Sequence, residues 1–88
     1  MSQVDEELVD GTLLEIERLI RTGVTPVHNG HLRSLTNEGD VLDLLLSMRL
    51  RGLIRGDLVK VGPGEGVPHK LTNIRLTYVG VRQIADQQ

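Results

Sequence analysis

The stretch that decides the fold runs from Leu42 to Ile54 and reads LDLLLSMRLRGLI. At 100° per residue its apolar side chains, together with Val41 just before it, cover one broad side of a helix. The first row consists of Val41, Leu44, Leu45 and Met48, and a second row beside it consists of Leu42, Leu46, Leu50 and Leu53. The position of Gly52 indicates where the helix ends, because glycine readily adopts the left-handed conformation of a C-terminal turn. The stretch therefore predicts an apolar helix that closes on a glycine and leads into a strand.

This helix is expected to begin at an N-cap formed by Thr36 or Asn37 and to end at about Arg51. Further towards the N-terminus, a first helix is predicted from about Asp5 to Thr22, since apolar residues recur there at helical spacing. The residues expected to face inward are Val9, Leu13, Ile16 and Ile20, with Leu8 and Leu19 beside them. Residues 1–4 are expected to be disordered, as chain ends commonly are.

The segment between these two helices carries turn signals at Thr25-Pro26 and Asn29-Gly30. Val24 and Val27 are expected to form a short extended segment beside a later strand. The residues from His31 to Leu35 are long enough for a short second helix. The helix that contains the deciding stretch is then the third one in the chain.

A ribbon and a last helix are predicted after the deciding stretch. Residues 58–61 and 71–76 have the composition of strands, and the Gly- and Pro-rich residues 62–68 form the loop between them. Thr77 is the expected N-cap of a final helix that reaches about Ala85, with Val81 and Ile84 as its apolar face. The prediction is one α+β domain of residues 1–88 with the order α, α, α, β, β, α.

The composition and charge of the chain restrict the classes of protein to which it can belong. The chain has 88 residues, no Cys, no Phe or Trp and a single Tyr, so its core must be aliphatic. No apolar run approaches the roughly 20 residues that span a bilayer. The acidic start is also unlike a secretory signal, and we therefore expect a cytoplasmic location. Residues 1–43 carry a net charge of −6 and residues 44–88 a net charge of +4, which leaves room for a basic patch in the second half.

Two short motifs resemble those of a known family. Leu45-x-x-Met48-x-x-x-Gly52-Leu53-Ile54 and Leu76-Thr77-x-x-Gly80 look like the recognition helix and the start of the last helix in winged helix-turn-helix domains. The arrangement is similar to MarR and PadR regulators, and in size and layout it is closer to the small YjcQ-type winged-helix proteins of bacteria and phages. The resemblance implies a three-helix core, a two-stranded β wing and a C-terminal helix.

The resemblance also implies double-stranded DNA as a partner, with the third helix in the major groove and the wing on neighbouring phosphates. It implies a transcriptional regulator that forms a homodimer through a terminal helix. Small polar and basic side chains are the candidates for DNA contact. They are Ser34, Thr36, Asn37, Ser47, Arg51, Arg55, Lys60, His69, Lys70 and Arg75.

The third helix departs from the family where bases would be read. Asp40 and Asp43 are its early outward residues, and acids there repel phosphates. Leu42, Leu46 and Leu50 occupy positions that DNA-reading members fill with polar or basic residues. An exposed leucine row suits another protein surface. The alternative is therefore a winged-helix protein-interaction or dimerisation module that does not bind DNA.

Other chemistry receives little support from the sequence. His28-x-x-His31 and His69 could offer imidazoles to a metal, but Gly30 interrupts regular helical spacing and no Cys supports such a site. The glycines at 62, 64 and 66 lack the Gly-Lys-Ser/Thr ending of a phosphate-binding loop. No nucleophile–base or paired-carboxylate arrangement has a pocket context. We expect no enzyme activity, no metal and no cofactor.

Overall fold

A computed structural model of the chain describes residues 6–35, 38–63 and 69–85, without the side chains of residues 33–35 and 38–40. Its elements are helix α1 (Glu6–Arg21), a 3₁₀ helix (Asn29–Leu35), helix α2 (Glu38–Leu50), strands β1 (Ile54–Lys60) and β2 (His69–Leu76), and helix α3 (Tyr78–Ala85). The two strands form an antiparallel sheet. The fold is α+β, as predicted from the sequence. The segment expected to be disordered and the candidate N-caps Thr36 and Asn37 lie outside the described residues.

The deciding stretch folds as helix α2 and ends in the predicted glycine turn. Gly52 has a φ of +80°, its N–H donates to the carbonyl of Arg49, and the Leu53 N–H donates to the carbonyl of Met48, each at 3.0 Å. These two bonds satisfy carbonyls that the helix end would otherwise leave without a partner. Gly23, with a φ of +95°, ends α1 by the same pattern of bonds.

The core is a cluster of aliphatic side chains from every element. All four residues of the first α2 row are buried, as predicted, and the cluster comprises Val9, Leu13, Ile16, Leu19, Val27, Leu32, Val41, Leu44, Leu45, Met48, Leu53, Ile54, Leu71, Ile74 and Ile84. The residues of the second row differ in how deeply they are buried. Leu42 and Leu46 pack against the cluster, and Leu53 is buried, whereas Leu50 is 91% exposed at the end of the helix.

Two inward-facing predictions are wrong. Ile20 is 43% exposed, because the last turn of α1 turns Leu19 to the core in its place. Val81 is also exposed, because α3 packs through Gly80 and Ile84 and so directs Val81 to solvent.

Helix α3 begins against the glycine turn of α2. Thr77 donates its N–H to the carbonyl of Leu53 at 3.0 Å and its hydroxyl to the carbonyl of Gly52 at 2.5 Å. The same hydroxyl accepts the N–H of Gly80 at 3.1 Å, which makes Thr77 the N-cap that the sequence predicts. A Cβ on Gly80 would overlap the carbonyl oxygen of Leu53. The Leu-Thr-x-x-Gly motif is therefore the docking motif of the last helix.

Strand β2 contains a bulge that the sequence reading did not anticipate. Arg55 pairs with Arg75 and Asp57 pairs with Thr72, so two residues of β2 stand opposite one residue of β1. Asn73 is the extra residue, and its φ of +57° is one that asparagine tolerates better than most side chains. The bulge explains how Leu71 and Ile74, three residues apart, both reach the core.

Both strands are also longer than predicted. β1 begins at Ile54, although the sequence suggested 58–61, because a strand with one exposed face tolerates the polar run Arg55-Gly56-Asp57. β2 begins at His69, directly after the predicted loop of residues 62–68 and two residues before the predicted start of the strand. The rest of that loop, residues 64–68, lies outside the described residues.

The segment between α1 and the 3₁₀ helix packs along the other edge of β2. Val27 is buried and accepts the N–H of Ile74 at 3.0 Å, and the Asn29 side chain accepts the N–H of Leu71 at 3.1 Å. The predicted extended segment therefore lies beside a strand without forming one itself. Within the described ranges, no helix has the length and apolar character that crossing a membrane requires.

We predict opposite effects for alanine at two helical glycines. Gly80→Ala should lower the free energy of unfolding by about 1–3 kcal/mol or more, because the new methyl group meets backbone that cannot move aside cheaply. Gly11→Ala, in the interior of α1 with open space around the Cβ position, should raise it by about 0.5–1 kcal/mol. Urea unfolding followed by circular dichroism measures both. A change in the free energy of unfolding of the same sign and size in the two variants would show that α3 does not dock as described.

Candidate nucleic-acid interface

The predicted basic residues of the ribbon divide between its two faces. Side chains alternate along a strand, and residues directly opposite each other share a face. Arg55, Arg75 and Lys70 therefore lie on the face opposite to the buried Ile54 and Leu71. The pair Lys60 and His69 extends from the other face, near the tip of the ribbon.

Arg55 and Arg75 are directly opposite each other on the exposed face, close to the body of the protein. Like charges in directly opposite positions destabilise a sheet. Among the described residues, the bond found for Arg75 goes to a neutral amide, the Oδ1 atom of Asn73, at 3.3 Å. The carboxylate of Asp57, on the same face of the ribbon, accepts a hydrogen bond from the other end of that amide at 3.5 Å. The two guanidinium groups thus form a positive site on the ribbon.

A second basic group lies towards the tip of the ribbon. Lys60 pairs with His69, both exposed, and the half-buried Lys70 pairs with Val59. At about 3.3 Å per residue, Lys60 is about 16 Å along β1 from Arg55. Both groups therefore belong to one elongated basic ribbon, although they do not form a single cluster.

Arg51 is placed away from this ribbon. Its guanidinium binds the Glu6 carboxylate with two contacts, Nη1–Oε1 at 3.0 Å and Nη2–Oε2 at 3.3 Å. The pair ties the end of α2 to the start of α1. Arg51 would therefore have to exchange this carboxylate for a phosphate in order to contact DNA.

The other predicted contacts lie on or before α2. Ser47 is half-buried on α2. The backbone of Ser34 belongs to the 3₁₀ helix, but its side chain is not among those described, and Thr36 and Asn37 lie outside the described residues. Of the ten candidate residues, the structure thus locates the side chains of the five ribbon residues, Arg51 and Ser47.

The outward side of α2 combines an acid with apolar groups. Asp43 is exposed, and Leu42 and Leu46 are half-buried. Near the end of the helix, a shallow hollow of about 430 Å³ is lined by Leu46, Arg49 and Leu50. Neither Arg nor an amide side chain stands at the described outward positions in the first half of α2, where base contacts would be expected.

His28 and His31 pack against each other, with ring centroids 3.9 Å apart. The Nδ1 atom of His31 accepts the N–H of His28 at 3.1 Å, and the Nδ1 atom of His28 accepts the N–H of Gly30 at 3.0 Å. These bonds give the pair a structural role at the start of the 3₁₀ helix. In the part of the chain that the structure describes, no group of three or more His, Cys, Asp or Glu side chains is arranged to hold a metal ion.

Comparisons of the chain with protein-family models, with curated proteins and with solved structures found no match.

The sequence reading missed Asn73, which supports Arg75 from the bulge. The sequence contains one indication of the bulge at this residue. Leu71 and Ile74 are separated by three positions, so a regular strand could not direct both to one face, and the asparagine between them is a residue type that tolerates positive φ.

We predict that Arg55→Gln stabilises the free protein. Removing one of two opposed cations should raise the free energy of unfolding by about 0.2–1 kcal/mol at low salt, and less at high salt, where screening already weakens the repulsion. Urea unfolding at two salt concentrations tests this. Arg49→Gln, which makes the same charge change at an exposed position of α2, should give no gain. An equal gain in both variants would assign the effect to net charge and not to the cross-strand pair.

Proposed function

We propose that this chain is a small winged-helix protein that binds double-stranded DNA and regulates transcription in a bacterium or phage. In this proposal β1 and β2 are the wing, α2 is the helix presented to the major groove, and the role is a binding role without catalysis. The protein acts in the cytoplasm, where bacterial and phage DNA lies.

The observation that carries the proposal is the opposed pair Arg55 and Arg75. An exposed arrangement that costs stability in the free protein suits a partner that supplies negative charge. A phosphate group has several acceptor oxygens and can take hydrogen bonds from both guanidinium groups at once. Lys70 on the same face, and Lys60 and His69 at the tip, extend positive charge along the ribbon in the direction of further phosphates.

The outward side of α2 determines the kind of binding that we propose. Asp43 and the partly exposed Leu42 and Leu46 offer little hydrogen bonding to base edges compared with Arg, Asn or Gln. Affinity should therefore come mainly from phosphate contacts by the ribbon, with a strong dependence on salt and a weak dependence on base sequence.

A homodimer is part of this proposal, with α3 as its interface. The outward side of α3 carries Tyr78, which is 74% exposed, together with the exposed Val79 and Val81. Arg82 lies over the Tyr78 ring, with 5.7 Å from its Cζ atom to the ring centroid. Burying this apolar side against a second copy would add apolar area to a core that lacks large aromatic residues.

We predict that mixed-sequence duplex DNA binds with an affinity that falls steeply with salt. The double variant Arg55→Gln/Arg75→Gln should weaken binding to all duplexes alike and reduce the slope of log K against log salt by about 0.9, because the two arginines share one phosphate and each lost phosphate contact removes about 0.9 from the slope. Replacing Lys60 and Lys70 with Glu should also weaken all duplexes alike. Fluorescence anisotropy over a range of salt concentrations measures the affinities.

Arg18→Gln is the matched control for this experiment. Arg18 lies on α1 and donates two hydrogen bonds to Glu15, at 2.6 and 2.7 Å, which lower the pKa of that carboxyl. Its loss should leave DNA binding unchanged. Absence of binding at low salt, or an affinity independent of salt, would overturn the DNA proposal.

One observation favours a second function, a protein-interaction module. Leu50 is almost fully exposed beside the hollow that it forms with Leu46 and Arg49, and Leu42 continues the row along α2. An apolar row on the presented side of a helix suits another protein surface better than a DNA groove. In this alternative, α2 binds a partner or a second copy and DNA is not bound.

We predict that two variants separate these functions. If α2 is the interface, Leu50→Lys should abolish association, since a charge would be buried against the partner. Tyr78→Ser should then leave association intact. If the dimer forms through α3 instead, Tyr78→Ser should abolish association and Leu50→Lys should leave it intact. Analytical ultracentrifugation gives the mass, and circular dichroism checks that both variants fold. A mass unchanged in the Leu50→Lys variant rules out α2 as an interface between copies.

A further inference from the structure

An apolar groove lies on the side of the protein where α1 ends. The segment from Val24 to Val27 forms one wall, the bulged part of β2 from Asn73 to Leu76 forms the other, and Ile20 closes the groove at α1. Its volume is about 410 Å³. That volume falls within the range of about 300–1,000 Å³ that is usual for small-molecule sites. The groove also accounts for Ile20, the apolar α1 side chain that the core leaves exposed.

The lining is aliphatic with one charge at its rim. Six of its nine lining residues are aliphatic, two are polar (Thr25 and Asn73) and one is charged (Arg75). None of these lining residues is acidic, none is aromatic, and only Arg75 is charged. The backbone N–H of Ile74 is already bonded to the carbonyl of Val27, and the Asn73 amide is engaged by Arg75 and Asp57, so the side chains of Arg75 and Thr25 remain to orient a ligand.

We propose that this groove binds a small aliphatic carboxylic acid, with the chain along the apolar walls and the carboxylate on Arg75. One guanidinium group matches one carboxylate, because its planar donors can make two parallel hydrogen bonds to the two oxygens. An aliphatic chain fits walls of Ile, Val, Pro and Leu, whereas a flat aromatic ligand would find no ring to stack on. Asn73, the bulge residue, also lines the groove and contacts the Arg75 guanidinium at 3.3 Å.

The carboxylate completes an arrangement that the free protein leaves with excess positive charge. Arg75 stands opposite Arg55, and its described bond goes to the neutral amide of Asn73. A bound anion would neutralise one of the two cations, while the apolar chain would cover Ile20 and the valines at 24 and 27. The inference goes beyond DNA binding and does not depend on it.

Titration of octanoate into ¹⁵N-labelled protein tests the proposal. We expect saturable shifts of amide resonances confined to residues 20–27 and 73–76. Octanol, which has no charge, and acetate, which has no chain, should each bind at least about tenfold more weakly, because each loses one of the two kinds of contact. The experiment contains no DNA, so its outcome is separate from that of the proposed function.

Three variants make the test specific. Arg75→Gln should reduce octanoate affinity to that of octanol, and Ile20→Ser should weaken octanoate and octanol alike. Arg55→Gln is the comparison variant, because this arginine stands directly opposite Arg75 but does not line the groove, and it should weaken octanoate binding far less than Arg75→Gln does. Ile20 and Arg75 are exposed, so the variants should keep the dispersed spectrum of a folded protein.

Either of two results overturns the proposal. The first is the absence of saturable shifts at residues 20–27 and 73–76 at millimolar octanoate. This result includes the case in which the shifts occur at another apolar surface, such as Tyr78 and Val79. The second is an equal loss of affinity in the Arg55 and Arg75 variants, which would indicate general attraction of anions to the ribbon.

Discussion

The contact between Thr77 and the turn at Gly52-Leu53 is the interaction on which the rest of the structure depends. Thr77 donates to both carbonyls of that turn and at the same time caps α3 by accepting the N–H of Gly80. Four element ends meet there: the end of α2, the start of β1, the end of β2 and the start of α3. Because Gly80 has no side chain, the backbone of α3 can approach the Leu53 carbonyl closely. The direction of the ribbon relative to α2 is set at this point.

The ribbon that leaves this junction has different constraints on its two faces. The inner face must bury Leu71 and Ile74, and the bulge at Asn73 makes this possible without a regular alternation. The outer face then holds Arg55 opposite Arg75, a pair of like charges that we expect to lower the stability of the free protein. Residues whose placement lowers the stability of a fold are often residues that bind a ligand. The proposed phosphate contacts and the proposed carboxylate site both use Arg75.

Much of the architecture could be predicted from the sequence, because local signals and the core pattern agreed. The α2 stripe, the glycine turn at Gly52 and the cap at Thr77 each have a short-range cause and appear where expected. The errors concern residues whose burial depends on distant elements. Ile20 has suitable helical spacing, but Leu19 occupies the core position. The candidate site could be predicted in part: the basic residues of the ribbon were identified, whereas their distribution over two faces follows from a register that no local signal specifies.

The sequence by itself determined the element types, their order, the two glycine helix ends and an entirely aliphatic core, because propensity, capping and periodicity act within a few residues. Only the tertiary structure decided which cations come together. Arg55 and Arg75 are twenty residues apart in the chain and meet because one bulge shifts the register of β2. Arg51 is bound by Glu6, which lies 45 residues earlier in the chain, and this ion pair links the end of α2 to α1. Such pairings depend on long-range packing, in which a shift of one residue exchanges the faces of a strand.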